Sequence, residues 1–254
     1  MYHILKALIA AIATIRTIQA RPLSPTSQPA PTADAKEQLF RDLFSAPTAN
    51  KRFQKLLVEG NEVVAGETLK ERTVFDFNGP QPAIGAKGGA YKLANIETFP
   101  ILAGLGISLS VGFFEPCGLS TPHVHPRATE FFVLTEGSNV SFGYTLENGF
   151  VQPGQNPEIA GTLSKHEGTV FPQGSIHFQF NKACERAEFV AAFSSEDPGT
   201  TQVAQNFFNL DVGVVNATLG FPRTINGSNI EQFRKVIPAN IAQDIDNCLI
   251  KCKL

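Results

Sequence analysis

Short runs of β-branched and aromatic residues, separated by Gly, Pro and Asn, fill the chain from Thr73 to Ser195. Runs of this kind are typical of β-strands bounded by turns. Because many short strands follow one another with no long helix between them, the pattern favours an all-β fold, a jelly-roll barrel or sandwich over residues 73–200. The predicted strands are 73–77, 89–93, 107–114, 130–134, 140–146, 162–163, 168–171, 176–181 and 187–194.

Segments with the apolar spacing of amphipathic helices flank this block. Residues 34–72 are predicted to form an N-terminal helical extension, with Asp34 as the N-cap of a helix that ends before Pro47 and a second helix over residues 50–58. Residues 201–254 are predicted to form a C-terminal helical arm. Its apolar stripes exceed what one barrel can cover, so it is expected to pack on a neighbouring subunit or on its own barrel. The expected helices of the arm are 202–210, 212–219, 229–236 and 239–251.

The first 20 residues contain a short apolar run that ends in the small residue Ala20, which predicts a secretory signal peptide over residues 1–20. Lys6 and Arg16 interrupt this run, so a buried or membrane-surface helix is the alternative. Residues 21–33 are rich in Pro, Ser and Thr and are expected to form an extended tether. The protein is therefore expected to be secreted, to the extracellular space or cell wall. Three sequons agree with a secretory route as candidate glycosylation sites: Asn139, Asn216 and Asn226.

The composition indicates one globular domain with extensions, since 43% of the 254 residues are hydrophobic and 17% are charged. The formal net charge is −2; loss of the leader removes Lys6 and Arg16 and leaves 19 basic against 23 acidic residues, a net charge of −4. Because the chain is acidic and has no basic run, binding to nucleic acid is not expected. No stretch outside the leader predicts a membrane span.

Four cysteines are candidates for disulfides and allow three complete pairings: Cys117, Cys184, Cys248 and Cys252. A Cys117–Cys184 bridge would close a long loop. Cys248 and Cys252 are four residues apart on a predicted helix, so they would share a face and could pair with each other or with the other two. A zinc cluster is the alternative, but the paired short spacings of structural zinc sites are absent.

Two short segments, 121–130 and 171–177, carry three of the four histidines that follow the leader. His123 and His125 are separated by one residue, so both side chains lie on the same face of an extended strand. Pro126 ends that strand and lets Glu130 return as a carboxylate ligand, and His177 completes the set. Three imidazoles and one carboxylate suit a borderline divalent cation and leave two positions for water, substrate or dioxygen. A chance His-x-His pair is the alternative, which four candidate ligands in a His-poor chain disfavour.

These residues resemble the two-part motif of the cupin family. The first part is His-x-His-x4-Glu-x6-Gly and the second is Pro-x-Gly-x2-His-x3-Asn, and the run Pro-His-x-His-Pro-Arg-Ala-Thr-Glu resembles the germin branch, which includes plant germin-like proteins and slime-mould spherulins. The resemblance covers about residues 75–249 and implies a cupin jelly-roll barrel, a Mn(II) ion at the four candidate ligands, and a homo-oligomer held by the C-terminal helices. The motif residues are His123, His125, Glu130 and Gly137, then Pro172, Gly174, His177 and Asn181.

The germin resemblance also implies oxidoreductase chemistry, as an oxalate oxidase or a superoxide dismutase. Oxalate oxidases of the family place two Asn residues near the substrate, whereas this sequence has Ser110 and Ser120 at those positions. Ser hydroxyls still donate hydrogen bonds, but superoxide needs less positioning and tolerates the change better. The competing class is a non-catalytic metal-binding wall, cyst-coat or storage protein of the spherulin type, and a small-molecule binding module is a third. His166 is expected to be a solvated turn residue.

Overall fold

The computed structural model describes residues 33–220, 241–243 and 245–254. Two antiparallel sheets face each other and form the jelly roll that the strand pattern predicts, and a short hairpin of β1 (Val58–Glu59) and β2 (Glu62–Val63) precedes them. One sheet has the order β3-β4-β11-β6-β9: its strands are Gly89–Ala94, Ser108–Phe114, Ala187–Phe193, Glu130–Glu136 and Gly168–Phe171. The other has the order β12-β5-β10-β7-β8: its strands are Thr201–Gln202, Leu119–Val124, Ile176–Asn181, Val140–Thr145 and Ile159–Leu163.

Alternation along the strands places one face of each sheet in the core. Every second residue of β4 is buried, beginning at Ser108 and ending at Phe114, and β6 and β11 alternate in the same way. The buried rings of Phe114 and Phe189 stack with their centroids 4.8 Å apart. Burial of each such ring contributes about 1.5–3 kcal/mol relative to leaving it exposed. The main core cluster also contains Phe132, Leu134, Val140, Leu163, Phe171 and Phe193.

Three helices precede the sheets, at Ala33–Ser45, Ala49–Leu57 and Gly66–Thr73. Leu43 and Leu56 pack with Ile96 and Ala103 in a second apolar cluster, which attaches this helical region to the loop before β4. Asp34 lies inside the first turn of its helix instead of at the predicted N-cap position. A carboxylate in the first turn still interacts favourably with the helix dipole, so the residue keeps its helix-favouring effect.

The predicted strand over residues 73–77 is wrong. Helix Gly66–Thr73 runs into it, and residues 74–77 are irregular and pair with none of the strands in the described part of the chain. The ring of Phe75 packs instead against Phe77, at 4.7 Å, and Phe99, at 5.5 Å. The β-branched and aromatic residues of this segment therefore pack as apolar side chains without forming a strand.

The predictions for the C-terminal arm are partly wrong. The predicted helix 202–210 is a strand, β12 (Thr201–Gln202), followed by a short helix at Val203–Phe207. The predicted helix 239–251 is also divided: β13 (Ile241–Ala242) pairs with β5, and only Asp246–Cys252 is helical. In both places an unpaired edge of β5 accepts the segment, and strand pairing overrides a helical apolar spacing. The predicted helix 212–219 is present as Val212–Thr218, whereas helix 229–236 lies outside the described residues.

Two disulfides attach the C-terminal helix to the outer face of the β-sandwich. They join Cys117 to Cys248 and Cys184 to Cys252, so neither the Cys117–Cys184 bridge nor a Cys248–Cys252 bridge is formed. Phe180 packs against Cys117 and Cys248 in a third apolar cluster, with Phe178 at its margin. These two rings alternate with His177 and Gln179 along β10 and therefore face away from the interior. No helix in the described part of the chain is long and apolar enough to cross a bilayer.

Candidate metal centre

Four buried side chains converge between the two sheets. One donor atom from each of His123, His125, Glu130 and His177 lies within 4.8 Å of the donors of the other three. The exposed fraction of these residues is only 1–6%. Among the described residues, the other group with this geometry consists of cysteines engaged in disulfides.

Strand register explains why residues 54 positions apart in the sequence meet. His123 on β5 and His177 on β10 are paired directly across two neighbouring antiparallel strands. His125 follows the end of β5, and Glu130 is the first residue of β6 in the facing sheet. The chain crosses from one sheet to the other between these two residues, after Pro126. Glu130 therefore reaches the two histidines from the facing sheet, as the break at Pro126 predicted.

Backbone carbonyls hold all three imidazoles in one tautomer. His123 Nδ1 is 2.8 Å from the Thr121 carbonyl, His125 Nδ1 is 2.6 Å from that of Gly199, and His177 Nδ1 is 3.0 Å from that of Ser175. Because a carbonyl only accepts, each Nδ1 carries the proton and each Nε2 is left as a lone-pair donor. Glu130 Oε2 is 2.9 Å from His125 Nε2 and 3.1 Å from His177 Nε2.

The surroundings favour the protonation states that bind a cation. Burial first, and then the neighbouring His177, lower the pKa of His123 to about 3, so this ring is neutral. Burial by itself would raise the pKa of Glu130, but its close contacts with the His125 and His177 imidazoles outweigh burial and lower the pKa to about 2. Neutral imidazole and ionised carboxylate are the forms in which these groups coordinate metals. The donor set therefore fits a divalent cation.

A cavity of about 60 Å³ is lined by three of the four residues, namely His123, His125 and Glu130. This exceeds the roughly 10–15 Å³ that a single water requires, so a molecule of several atoms has room beside the donors. Ser110 and Ser120, the candidates for substrate contact, both line the cavity. Its apolar walls include Leu93, Phe114, Phe132, Phe189, Phe193 and Ile241.

A β-bulge brings Ser120 to the cavity. Ser120 and His123 are three residues apart and would point to opposite faces of a regular strand. His177 pairs with His123 and Gln179 pairs with Ser120, so two steps along β10 match three steps along β5. The extra residue in β5 turns both Ser120 and His123 inward, as bulges beside functional sites commonly do.

Sequence analysis missed four polar residues that line the cavity: Tyr91, Gln179, Thr200 and Gln202. Gln179 was detectable, because it lies two residues after His177 on the same strand and so shares its face. Its Nε2 donates to Glu130 Oε1 at 3.4 Å. Gln202 carried no such signal, because its apolar neighbours predicted a helix.

The remaining predicted residues lie away from the centre. His166 is exposed in the turn between β8 and β9 and does not line the cavity, in agreement with a solvated residue. Asn139 is exposed in the turn between β6 and β7, whereas Asn216 is half-buried on helix Val212–Thr218 with its Oδ1 enclosed. Asn226 lies outside the described residues, as do the predicted signal peptide and all but the last residue of the tether.

Comparison with known proteins agrees with this geometry. The cupin family model matches residues 75–224, which contain all four candidate ligands. Spherulin-1A of Physarum polycephalum is 35% identical over 223 residues, which cover 87% of this chain and 82% of the spherulin. The chain is a cupin of the germin and spherulin family. Among germin-like members, germin-like protein 1-3 of Oryza sativa subsp. japonica is 34% identical over 154 residues, 60% of this chain and 66% of that protein.

Solved structures support the cupin fold independently. A structure of recombinant oxalate oxidase in complex with glycolate superposes with a TM-score of 0.51 and covers 70% of this cupin and 89% of the oxidase chain. The sequence identity is 24%, so the likeness shows the fold alone. In this cupin the four candidate ligands of the family motif converge at one buried site.

Proposed function

We propose that this cupin is a secreted Mn(II)-dependent oxidoreductase that acts on a small anion at the site formed by His123, His125, Glu130 and His177. The observation that carries the proposal is the convergence of three Nε2 lone pairs and one ionised carboxylate beside a cavity. Three imidazoles and one carboxylate also suit Fe, Ni, Cu or Zn, and the resemblance to germins favours manganese. When bound, Mn(II) supplies a redox-active cation that attracts a small anion.

Oxalate and superoxide are the two substrates proposed. Oxidation of hydrogen oxalate by dioxygen takes up one proton and gives two carbon dioxide molecules and hydrogen peroxide, so oxalate loses two electrons and dioxygen gains them. Dismutation converts two superoxide ions and two protons into dioxygen and hydrogen peroxide. Ser110 and Ser120 supply hydroxyl donors where oxalate oxidases have amides, which favours superoxide as the substrate with fewer positioning demands.

The protein's own residues hold the site in one state for either reaction. The carbonyls of Thr121, Gly199 and Ser175 fix the imidazole orientations, a support that commonly affects metal affinity by 10- to 100-fold. Phe193 packs its ring on His125 at 4.8 Å, and Phe171 stacks on His177 at 4.4 Å. These rings exclude water from the back of the site and restrict the imidazoles to the observed rotamers.

A non-catalytic role is the second candidate. It is favoured by the extent of the similarity to Spherulin-1A, which spans 87% of this cupin. In this role the same four residues would bind a metal in a cell-wall, cyst-coat or storage protein without turnover. Retention of the ligands supports metal binding in both cases, so only activity separates them.

The deciding experiment uses full-length protein purified from the culture medium of a secreting eukaryotic host. Elemental analysis would measure the metal per chain, and the same sample would be assayed for peroxide formed from oxalate and for superoxide consumption. About one manganese per chain with either activity supports the oxidoreductase. Stoichiometric manganese with neither activity supports the non-catalytic role, and absence of bound metal would overturn both.

Secretion, glycosylation and assembly remain parts of this proposal. Two disulfides support an oxidising compartment, and Asn139 is exposed enough to accept a glycan. A homo-oligomer is supported by apolar side chains on the outer face of the β3-β4-β11-β6-β9 sheet, where Phe131 is 51% exposed and its cross-strand partner Val170 is 40% exposed. Intact mass of the secreted protein and its mass in solution by light scattering test these features.

A further inference from the structure

Gln202 places an amide group beside the metal centre from a strand that is remote in the sequence. It lies on β12, directly across from His123 on β5, and it lines the same cavity. Residues paired in this way project to the same side of a sheet and are close neighbours there. The Gln202 side chain therefore stands next to a candidate metal ligand.

The orientation of the amide is set by Thr121. The Thr121 hydroxyl donates to Gln202 Oε1 at 2.8 Å, and the carbonyl of the same residue accepts from His123 Nδ1. With Oε1 engaged in this way, the Nε2 amino group retains two N–H donors. It makes no hydrogen bond to another described residue. A partly buried donor without a protein partner is stabilised when a ligand or water in the cavity accepts from it.

Two other polar residues of the cavity also carry donors without an acceptor among the described residues. The hydroxyls of Ser110 and Ser120 line it, and neither is hydrogen-bonded to a described side chain or carbonyl. Glu130 is the carboxylate in the cavity wall; its Oε2 contacts Nε2 of His125 and of His177, and its Oε1 already accepts from Gln179. Neutral donors around a cation site are complementary to an anion with several acceptor oxygens.

We propose that Gln202 is a substrate-binding residue whose Nε2 donates to a carboxylate oxygen of a small carboxylate in this cavity, with Ser110 and Ser120 as further donors. The inference rests on the proposed function and adds a binding residue for its carboxylate substrate, which must be small enough for a cavity of about 60 Å³. The amide donors absent at the two serines are thereby supplied from β12.

The test is the dissociation constant of oxalate for full-length, manganese-loaded protein, measured under nitrogen from the Mn(II) electron paramagnetic resonance spectrum. Gln202→Met keeps the length of the side chain and removes the donor. Gln202→Glu still accepts from Thr121, which protects the fold, but puts a negative charge at the donor position. Thr201→Val, on the same strand and pointing to the other face, is the matched control. Manganese per chain is measured for every variant as a readout independent of activity.

We expect oxalate to bind about 10- to 100-fold more weakly to Gln202→Met, the effect of losing one hydrogen bond to a charged group. Binding to Gln202→Glu should be weaker still, while manganese content and the Thr201→Val control match the wild type. Wild-type oxalate affinity in both Gln202 variants would overturn the inference and leave the proposed function intact. Loss of manganese from both variants would also overturn it, by showing that Gln202 supports the metal ligands. A wild-type protein that holds manganese but does not bind oxalate overturns the inference and the oxalate reaction together, whereas one that holds no metal overturns the proposed function.

Discussion

Removal of the Cys117–Cys248 disulfide tests how strongly the C-terminal helix is held to the sandwich. The double substitution Cys117→Ala with Cys248→Ala leaves Cys184–Cys252 in place. Cys117 and Cys184 are 67 residues apart in the sequence, and Cys248 and Cys252 are four apart. When one bridge is already formed, the other therefore closes a loop of roughly 70 residues. In the chain-entropy model such a loop stabilises the folded state by about 4.4 kcal/mol.

The other bridge provides a matched comparison. Cys184→Ala with Cys252→Ala opens the same loop and so has the same entropic cost. Cys117 and Cys248 are buried, with 0% and 7% of their surface exposed, whereas Cys184 is exposed. Loss of the buried pair also removes packing against Phe180. The free energy of unfolding should therefore fall further in the Cys117→Ala, Cys248→Ala variant than in the other.

Thermal unfolding followed by circular dichroism measures both effects, with mass spectrometry to confirm the remaining bridge. At about 2–4 °C per kcal/mol for chains of this size, the midpoint should fall by roughly 9–18 °C for the exposed pair and by more for the buried pair. A fall below about 3 °C for both variants would refute the loop argument. A larger fall for the exposed pair would refute the packing argument.

Further predictions concern the metal centre and the core. His125→Ala should abolish metal binding while His166→Ala retains it, as measured by elemental analysis; loss of metal from the second variant would contradict the ligand assignment. Chelation of the metal should lower the midpoint of thermal unfolding, because a cation at 100 times its dissociation constant stabilises the fold by about 2.7 kcal/mol. An unchanged midpoint after complete removal of the metal would show that the bound cation does not stabilise the fold. Gly112→Ala should destabilise the fold by about 1–3 kcal/mol, as measured by urea unfolding. The reason is that a Cβ at this position would lie 2.6 Å from the Ala90 carbonyl oxygen and 2.8 Å from the Phe189 ring. Wild-type stability of the variant would show that strands β3 and β11 shift to make room for the methyl group.

Much of the sandwich was predictable because strand periodicity is a local property. The strands over residues 168–171 and 176–181 have the predicted bounds, and most others differ by one or two residues at their ends. The prediction is wrong at residues 73–77 and in parts of the C-terminal arm, because an apolar run does not indicate which strand edges are available to it. Whether an apolar segment joins a sheet depends on a partner strand elsewhere in the chain, which the segment itself does not encode.

The candidate ligands were predictable and the wall of their cavity was not. His123 and His125 share a face by strand parity, and the residue pattern together with the family motif indicated Glu130 and His177. Ser120 reaches the cavity only through a bulge, and Gln202 only through pairing of β12 with β5. Both depend on register between strands, which is set by the summed packing of two sheets.

The sequence by itself determined the strand content, the four metal-ligand candidates and the family, because these follow from residue types at short, fixed spacings. Only the tertiary structure decided the disulfide pairing, the addition of β12 and β13 to the edge of β5, and the position of an amide at the metal centre. Each of these joins residues more than 65 positions apart, at 117 and 248, 184 and 252, and 121 and 202. Contacts over such separations are fixed by burial and register of the whole sandwich, and no local pattern in the chain records them.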